Sequence, residues 1–158
     1  MCSDDYNVWG PIAWYKFHEK AIKYPNNPCE CDANKILCFY HKKFLQFIGC
    51  KTCENDYEKI IQIYPVKYGS RIEVFNWTVD VHNIINQKLG KTQIGYAEAY
   101  ILWNGVIPFA CDKSGCFQPQ SIVDYCYDRV NSEISNIINE CNTISPQNNC
   151  CINSYCHD

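Results

Sequence analysis

The 158-residue sequence has no hydrophobic run long enough to span a bilayer, since a transmembrane helix needs about 20 consecutive apolar residues. It also lacks a run of lysine and arginine interleaved with aromatic residues, and its formal net charge is −3. This balance does not favour nucleic acid or an anionic membrane as a partner. The N-terminus shows no basic stretch followed by an apolar one, so no signal peptide is predicted. We therefore expect a soluble protein.

Strict alternation of apolar and polar residues, the pattern of a half-buried β-strand, is absent as well. Apolar residues instead recur at steps of three or four through the first two thirds of the chain, which indicates amphipathic helices. A compact helical bundle is the natural way to pack such helices. The predicted helices span about 11–24, 34–47, 50–65, 71–89 and 96–103, followed by a loop and one further helix within 120–141.

Thirteen cysteines are unusual for a chain of this length and indicate disulfides, metal binding or thiol redox chemistry. The number is odd, so at least one thiol cannot pair within the chain. Disulfide-rich proteins usually enter a secretory route, for which no signal is predicted here. This combination favours thiol chemistry over purely structural disulfides.

Cys50 and Cys53 form a Cys-x-x-Cys motif directly after Gly49, at the start of a predicted helix. Backbone N–H groups and the helix dipole at such a position favour a thiolate over a thiol. The spacing places both sulfurs on one turn, where a disulfide can form and break. The motif alone leaves three interpretations open: a redox pair, a structural disulfide, or half of a zinc site completed by Cys29 and Cys31.

Two predicted helices carry polar or aromatic side chains at helical spacing. His82 and Asn86 are one turn apart on the apolar face of the fourth helix, and Asn83 follows His82. Trp14 and His18 have the same spacing on the first helix. A single histidine on an apolar face is more often a hydrogen-bonded core residue. Several such side chains together need partners, which a heteroaromatic ligand would supply.

Three blocks of the sequence resemble the Erv/ALR family of FAD-linked sulfhydryl oxidases, and the short chain is similar to the versions carried by large DNA viruses. The first block is G-P-I-A-W-Y-K-F-H at 10–18, similar to the family's G-x-x-x-W-x-x-L-H. The second is C-K-T-C at 50–53, and the third is H-N-I-I-N-Q-K-L-G-K at 82–91. Trp103 matches the family by its spacing. The resemblance covers residues 9–104.

This resemblance implies an all-α fold, namely a four-helix bundle plus a short fifth helix that binds FAD, usually as a homodimer. It implies that Cys53 lies against the flavin ring and that Cys50 exchanges with incoming thiols. It implies no metal site. The positions that match flavin contacts in the family are Gly10, Trp14, His18, His82, Asn83, Asn86, Lys88, Lys91 and Trp103.

The implied activity is oxidation of thiols in protein substrates, with electrons passing through FAD to O2 to give H2O2. Many family members add a shuttle pair of cysteines on a mobile segment. The candidates here are the tail residues Cys150, Cys151 and Cys156, which we favour for their expected exposure, and Cys29 with Cys31. We expect residues 1–104 to form the FAD-binding domain and 105–158 a Cys-rich, partly helical extension with a flexible tail.

The sequence also departs from the family. Members often join the fourth helix to the following segment by a disulfide, and Val79 and Tyr96 occupy those two positions here. One alternative function is a Cys-rich zinc-binding or structural interaction protein, and another is a disulfide isomerase without flavin. Neither needs the histidine and asparagine block of the fourth helix. A disulfide-forming enzyme without a targeting signal fits a viral assembly site in the host cytoplasm, or a virion.

Overall fold

A computed structural model describes residues 6–44, 50–104, 110–112 and 115–117, together with the helical residues 132, 135, 136 and 139–141. Five helices of this described part lie in the predicted order: α1 Tyr6–Ile22, α2 Glu30–Cys38, α3 Lys51–Ile63, α4 Arg71–Lys88 and α5 Tyr96–Trp103. A π-helical segment, Phe39–Lys43, continues α2. None of the helices in this described part is both long enough and apolar enough to cross a membrane.

The first two helices begin earlier than the sequence pattern predicts. α1 begins at Tyr6, so Pro11 lies inside the helix and not at its first position. Proline fixes φ at a helical value, so the helix continues through it at the cost of one hydrogen bond. α2 begins at Glu30 because Cys29 caps it, with the Cys29 backbone N–H donating to Asp32 Oδ2 at 3.0 Å. The helix therefore includes Cys31, which lies before the predicted helix of 34–47.

The chain divides into two compact units, of which the first comprises Met1–Ile22 and Phe75–Ser132. Its core is built from the apolar faces of α1, α4 and α5. Phe17 and Trp77 are at most 1% exposed, and their ring centroids lie 5.7 Å apart. Ala99 brings α5 into the same buried set. The helical spacing of apolar residues that predicted these helices is also what packs them.

The second unit comprises Lys23–Val74 and Glu133–Asp158. Aromatic side chains dominate its described core. The Tyr57 hydroxyl, on α3, donates to the carbonyl oxygen of Tyr40 at 2.6 Å and satisfies a buried polar group. The Phe44 ring, at the C-cap of the π-helical segment, lies beside the Tyr57 ring with the centroids 6.0 Å apart. α3 and the π-helical segment are therefore joined by both apolar and polar contacts.

A short β-hairpin follows α5, where the sequence predicted only a loop. Strand β1, Ala110–Asp112, pairs antiparallel with β2, Gly115–Phe117, and Cys111 lies opposite Cys116 in the register. β1 lies beside α1. Strands of three residues are too short to give a readable alternation, so the loop prediction was wrong for these six positions. The hairpin adds to the predicted all-α architecture without replacing any helix.

In the later part of the chain the structure describes helical residues at 132, 135, 136 and 139–141. Each compact unit combines residues from the predicted FAD-binding domain with residues beyond 104. The predicted boundary between 1–104 and 105–158 therefore stays a prediction. The tail beyond residue 141 lies outside the described residues.

Candidate functional site

Four aromatic side chains of the first unit form a ring cluster: Trp14 and His18 from α1, His82 from α4, and Trp103 from α5. The Trp14 and His82 rings stack with their centroids 3.8 Å apart and an interplanar angle of 4°. His18 stacks on Trp103, also at 3.8 Å, with an angle of 24°. Spacing of four residues places Trp14 and His18 on one face of α1. The structure therefore brings together four residues that the sequence predicted to bind one ligand.

The two histidines of the ring cluster are hydrogen-bonded to each other, and His18 also bonds to Thr78 on α4. His18 Nε2 lies 2.9 Å from His82 Nδ1, and His18 Nδ1 lies 2.9 Å from Thr78 Oγ1. Burial, with a smaller contribution from His82, lowers the pKa of His18 well below its ordinary value. Burial and then the charge of Lys91 lower the pKa of His82 to about 3. Both rings are therefore neutral near pH 7.

Thr78 is a polar member of this site that the sequence analysis did not select. It is completely buried, and its hydroxyl donates to the carbonyl oxygen of Phe75 at 2.6 Å. Thr78 precedes His82 by four residues, so both lie on the same face of α4. That spacing is the signal that would have found it.

Three further predicted cofactor contacts lie at or just beyond the C-terminal end of α4: Asn86, Lys88 and Lys91. The Lys91 backbone N–H donates to the carbonyl oxygen of Asn86 at 2.8 Å. Lys88 and Lys91 are exposed, and the effect of Lys91 on the pKa of His82 shows that its charge acts on the ring cluster. Gly10 is buried within α1. Flat, neutral rings beside a positive charge suit a planar heteroaromatic ligand that carries negative charge.

Asn83 holds the segment that connects α4 to α5. Its Nδ2 donates to the carbonyl oxygen of Ile94 at 2.7 Å, and its Oδ1 accepts from the Ile94 backbone N–H at 3.0 Å. Gly90 allows the chain to turn before this contact, because its φ of 68° lies in the left-handed region. The side-chain amide of Asn83 thus binds backbone on both sides, and its contact with a cofactor stays a prediction.

A side-chain hydrogen bond joins α5 to α4 in the region where the family often has a disulfide. Val79 is buried in the core and Tyr96 begins α5. The Tyr96 hydroxyl donates to Asp80 Oδ1 at 2.5 Å. In place of a covalent bond between positions 79 and 96, this chain therefore has a side-chain hydrogen bond between neighbouring positions.

Cys50 and Cys53 form a disulfide at the start of α3, in the second unit. Cys50 is the N-cap residue, and its Sγ accepts from the Cys53 backbone N–H at 3.3 Å. Both cysteines are half-buried. Reduction would leave thiolates at a helix N-terminus, where backbone N–H groups stabilise negative charge. The pair can therefore accept two electrons by disulfide exchange.

The two candidate shuttle groups differ in what the structure describes. Cys29 is half-buried, and its Sγ donates to Asp32 Oδ2 at 3.2 Å. Cys31 lies within α2 and is only 2% exposed. Neither takes part in a disulfide. The tail candidates Cys150, Cys151 and Cys156 lie outside the described residues, so both shuttle assignments stay predictions.

A disulfide between Cys38 and Cys141 was not predicted from the sequence. It joins α2 to a helical residue 103 positions later, with a Cα–Cα distance of 5.7 Å, and both cysteines are at most 3% exposed. Lys43 and Glu140 form an ion pair nearby, at 3.4 Å. Thirteen cysteines allow many pairings, and no short-range pattern marks a partner so distant.

The zinc interpretation is not favoured. Among the described side chains, no three or more histidine, cysteine, aspartate or glutamate residues are grouped so that they could hold a metal ion. The predicted zinc site needed Cys50 and Cys53 as thiolate ligands, and these two sulfurs are bonded to each other.

Comparison with known proteins places this arrangement in a family. The sequence model of the Erv1/Alr family matches residues 11–104. The probable FAD-linked sulfhydryl oxidase R368 of Acanthamoeba polyphaga mimivirus is 32% identical over 94 residues, which are 58% of this chain and 65% of that protein. The chain spans between 42% and 65% of the length of the first curated relatives that it matches.

Solved structures support the same grouping. The yeast Erv1 core has a TM-score of 0.59 at 27% identity, and the match covers 63% of this chain and 83% of that one. The FAD-binding domain of Erv1 from Saccharomyces cerevisiae has a TM-score of 0.57 at 27% identity, covering 60% of this chain and 90% of that one. These similarities confirm the predicted fold class. Since the family match also includes the Cys-x-x-Cys pair and the whole ring cluster, the chain belongs to the Erv1/Alr family.

Proposed function

We propose that this chain is an FAD-linked thiol oxidase that forms disulfide bonds in protein substrates, with O2 as the electron acceptor and H2O2 as product. The observation that carries the proposal is the Cys50–Cys53 disulfide at the N-terminus of α3. It stands at the family's redox position in a chain whose viral relative is named a probable FAD-linked sulfhydryl oxidase.

The ring cluster fits a flavin dinucleotide. Its flat side chains can pack against a flat heteroaromatic ring, and its neutral histidines offer nitrogen atoms for hydrogen bonds. The positive charge of Lys91 suits a pyrophosphate group. Bound FAD would supply the two-electron acceptor and the reaction with O2. The residues proposed to hold it are Gly10, Trp14, His18, His82, Asn83, Asn86, Lys88, Lys91 and Trp103.

The protein's own steps are two thiol–disulfide exchanges. A substrate thiolate attacks Cys50 Sγ, the Cys50–Cys53 bond breaks, and Cys53 leaves as a thiolate. The second substrate thiolate then attacks the substrate sulfur of this mixed disulfide, and Cys50 leaves as a thiolate. The Cys53 N–H, 3.3 Å from Cys50 Sγ, favours that thiolate. The substrate has lost two electrons, which the cysteine pair now holds as two thiolates.

The test is an absorbance spectrum of the purified chain followed by oxygen uptake with dithiothreitol. We expect a flavin spectrum in the unchanged chain and in Cys53→Ser, and uptake that falls to background only in Cys53→Ser. Cys29→Ser is the matched control, because Cys29 is another half-buried thiol at a helix N-cap. A colourless protein that contains stoichiometric zinc, or unchanged uptake in Cys53→Ser, would refute the proposal.

The tail cysteines Cys150, Cys151 and Cys156 are the proposed shuttle, because the 2% exposure of Cys31 makes the alternative pair hard for a substrate to reach. A triple Cys→Ser variant of the tail should keep dithiothreitol oxidation and lose oxidation of a protein dithiol. Oxidation of the protein at an unchanged rate would contradict this assignment.

The proposal has three further parts. We propose that residues 1–104 act as the FAD-binding domain with 105–158 as a Cys-rich extension, and that the chain works as a homodimer. Sedimentation equilibrium of the full chain would reject the dimer if only monomer mass is found.

The mimivirus relative supports a viral assembly site in host cytoplasm, or the virion, as the setting. Mass spectrometry of purified virions would test that location.

A further inference from the structure

The hydrogen bonds beneath the ring cluster have a fixed direction, and Thr78 sets it. The Thr78 hydroxyl has one proton, and a carbonyl oxygen can only accept. Since Thr78 Oγ1 lies 2.6 Å from the carbonyl oxygen of Phe75, its proton is used there. Toward His18 Nδ1, at 2.9 Å, the hydroxyl oxygen can therefore only accept. His18 must carry a proton on Nδ1.

The position of the proton on His18 also decides the tautomer of His82. His18 is fully buried and neutral, so a proton on Nδ1 leaves Nε2 with a lone pair. His18 Nε2 lies 2.9 Å from His82 Nδ1, so His82 donates from Nδ1. His82 is neutral as well, and its Nε2 is left as a hydrogen-bond acceptor. Among the described residues, none donates to this atom.

We propose that Thr78 is a positioning residue for the cofactor: it fixes the tautomers of His18 and His82, so that His82 Nε2 presents a lone pair to a hydroxyl or amino group of the bound dinucleotide. Trp14 covers one face of the His82 ring at 3.8 Å, which directs the approach of a donor to the ring edge. The charge of Lys91 opposes protonation of His82 and keeps Nε2 an acceptor. This inference rests on the proposed FAD site.

Removal of the Thr78 oxygen reverses the direction of the hydrogen bonds from His18 to His82. In Thr78→Val, the proton on His18 Nδ1 has no acceptor at position 78, and a buried unsatisfied donor is unfavourable. His18 therefore changes to the Nε2–H tautomer and donates to His82 Nδ1. His82 then carries its proton on Nε2. A hydrogen-bond donor of the ligand would therefore face another donor, and no hydrogen bond could form there. Thr78→Ser keeps the hydroxyl and should keep the wild-type direction.

The first measurement is the histidine tautomers in the full-length apoprotein, by long-range ¹H–¹⁵N NMR. We expect Nδ1–H for His18 and His82 in the wild type and in Thr78→Ser, and Nε2–H for both in Thr78→Val. A merely structural role for Thr78 would not exchange these protons. Wild-type protein with Nε2–H at either histidine overturns the inference, whether or not the valine variant folds.

The second measurement is the affinity of the same apoproteins for FAD, followed by flavin fluorescence. We expect the affinity of Thr78→Val to fall roughly tenfold to hundredfold, as for the loss of a buried hydrogen bond, while Thr78→Ser stays near wild type. Equal affinities for all three proteins overturn the inference. If wild-type protein binds no FAD, the proposed function fails with it. If wild type binds FAD and oxidises thiols but Thr78→Val binds equally well, only the role of Thr78 fails.

Discussion

Of the two disulfides in the described residues, Cys38–Cys141 should stabilise the folded chain more. It closes a loop of 103 residues, and chain-entropy theory gives about 4.7 kcal/mol at 25 °C for a loop of about 100 residues. The Cys50–Cys53 disulfide spans only three positions, and the same theory gives about 2 kcal/mol. We therefore expect Cys38→Ala/Cys141→Ala to lower the free energy of unfolding by about twice as much as Cys50→Ala/Cys53→Ala.

The assay is guanidinium denaturation of the full chain without reductant, at one saturating FAD concentration, since a bound ligand adds to apparent stability. Alanine replaces cysteine because both Cys38 and Cys141 are buried and a serine hydroxyl would need a partner. The exposed Lys43–Glu140 ion pair remains in both variants and contributes little. A smaller loss in the Cys38/Cys141 variant than in the Cys50/Cys53 variant would refute the loop-closure reasoning.

Two further predictions concern pH and backbone strain. Unfolded histidines take up protons below about pH 6.5, whereas folded His18 and His82 do not, so each should make stability fall by roughly 2 kcal/mol as the pH drops from 7 to 5. Denaturation midpoints that are equal at pH 5 and pH 7 would contradict this. Gly90→Ala should lose about 1 kcal/mol, because φ is 68° there and nothing crowds the added methyl group. Gly90→Asn should lose less, because asparagine tolerates the left-handed region better, and equal losses in thermal unfolding would exclude a strain effect.

Local rules predicted three members of the ring cluster, and the family resemblance added Trp103. Trp14 and His18 lie one turn apart, and a one-turn spacing on the fourth helix placed His82 on its apolar face. Apolar periodicity also gave the order of all five helices and nearly the bounds of α4 and α5. The family resemblance then supplied what periodicity cannot, namely which ligand these rings would share.

The features that the sequence did not predict depend on distant or backbone partners. Cys38 forms a disulfide with Cys141, which lies 103 positions later, and no local sequence pattern marks that pairing. Asn83 was selected as a cofactor contact from its motif, yet its amide meets both backbone groups of Ile94. A threonine within a helix commonly bonds to a preceding carbonyl oxygen, so Thr78 by itself predicts no further contact. Its second partner, His18, lies on another helix.

The contacts that hold α5 bear on the proposed oxidation of thiols. A disulfide between positions 79 and 96 would be open to attack by the same dithiols that the proposed activity oxidises. Here Asn83 binds the segment between α4 and α5, and the Tyr96–Asp80 hydrogen bond joins α5 to α4; thiolates cannot exchange with either contact. We therefore expect Trp103, at the end of α5, to keep its place against His18 under reducing conditions. Reductant should weaken the chain through its disulfides while the geometry of the ring cluster persists.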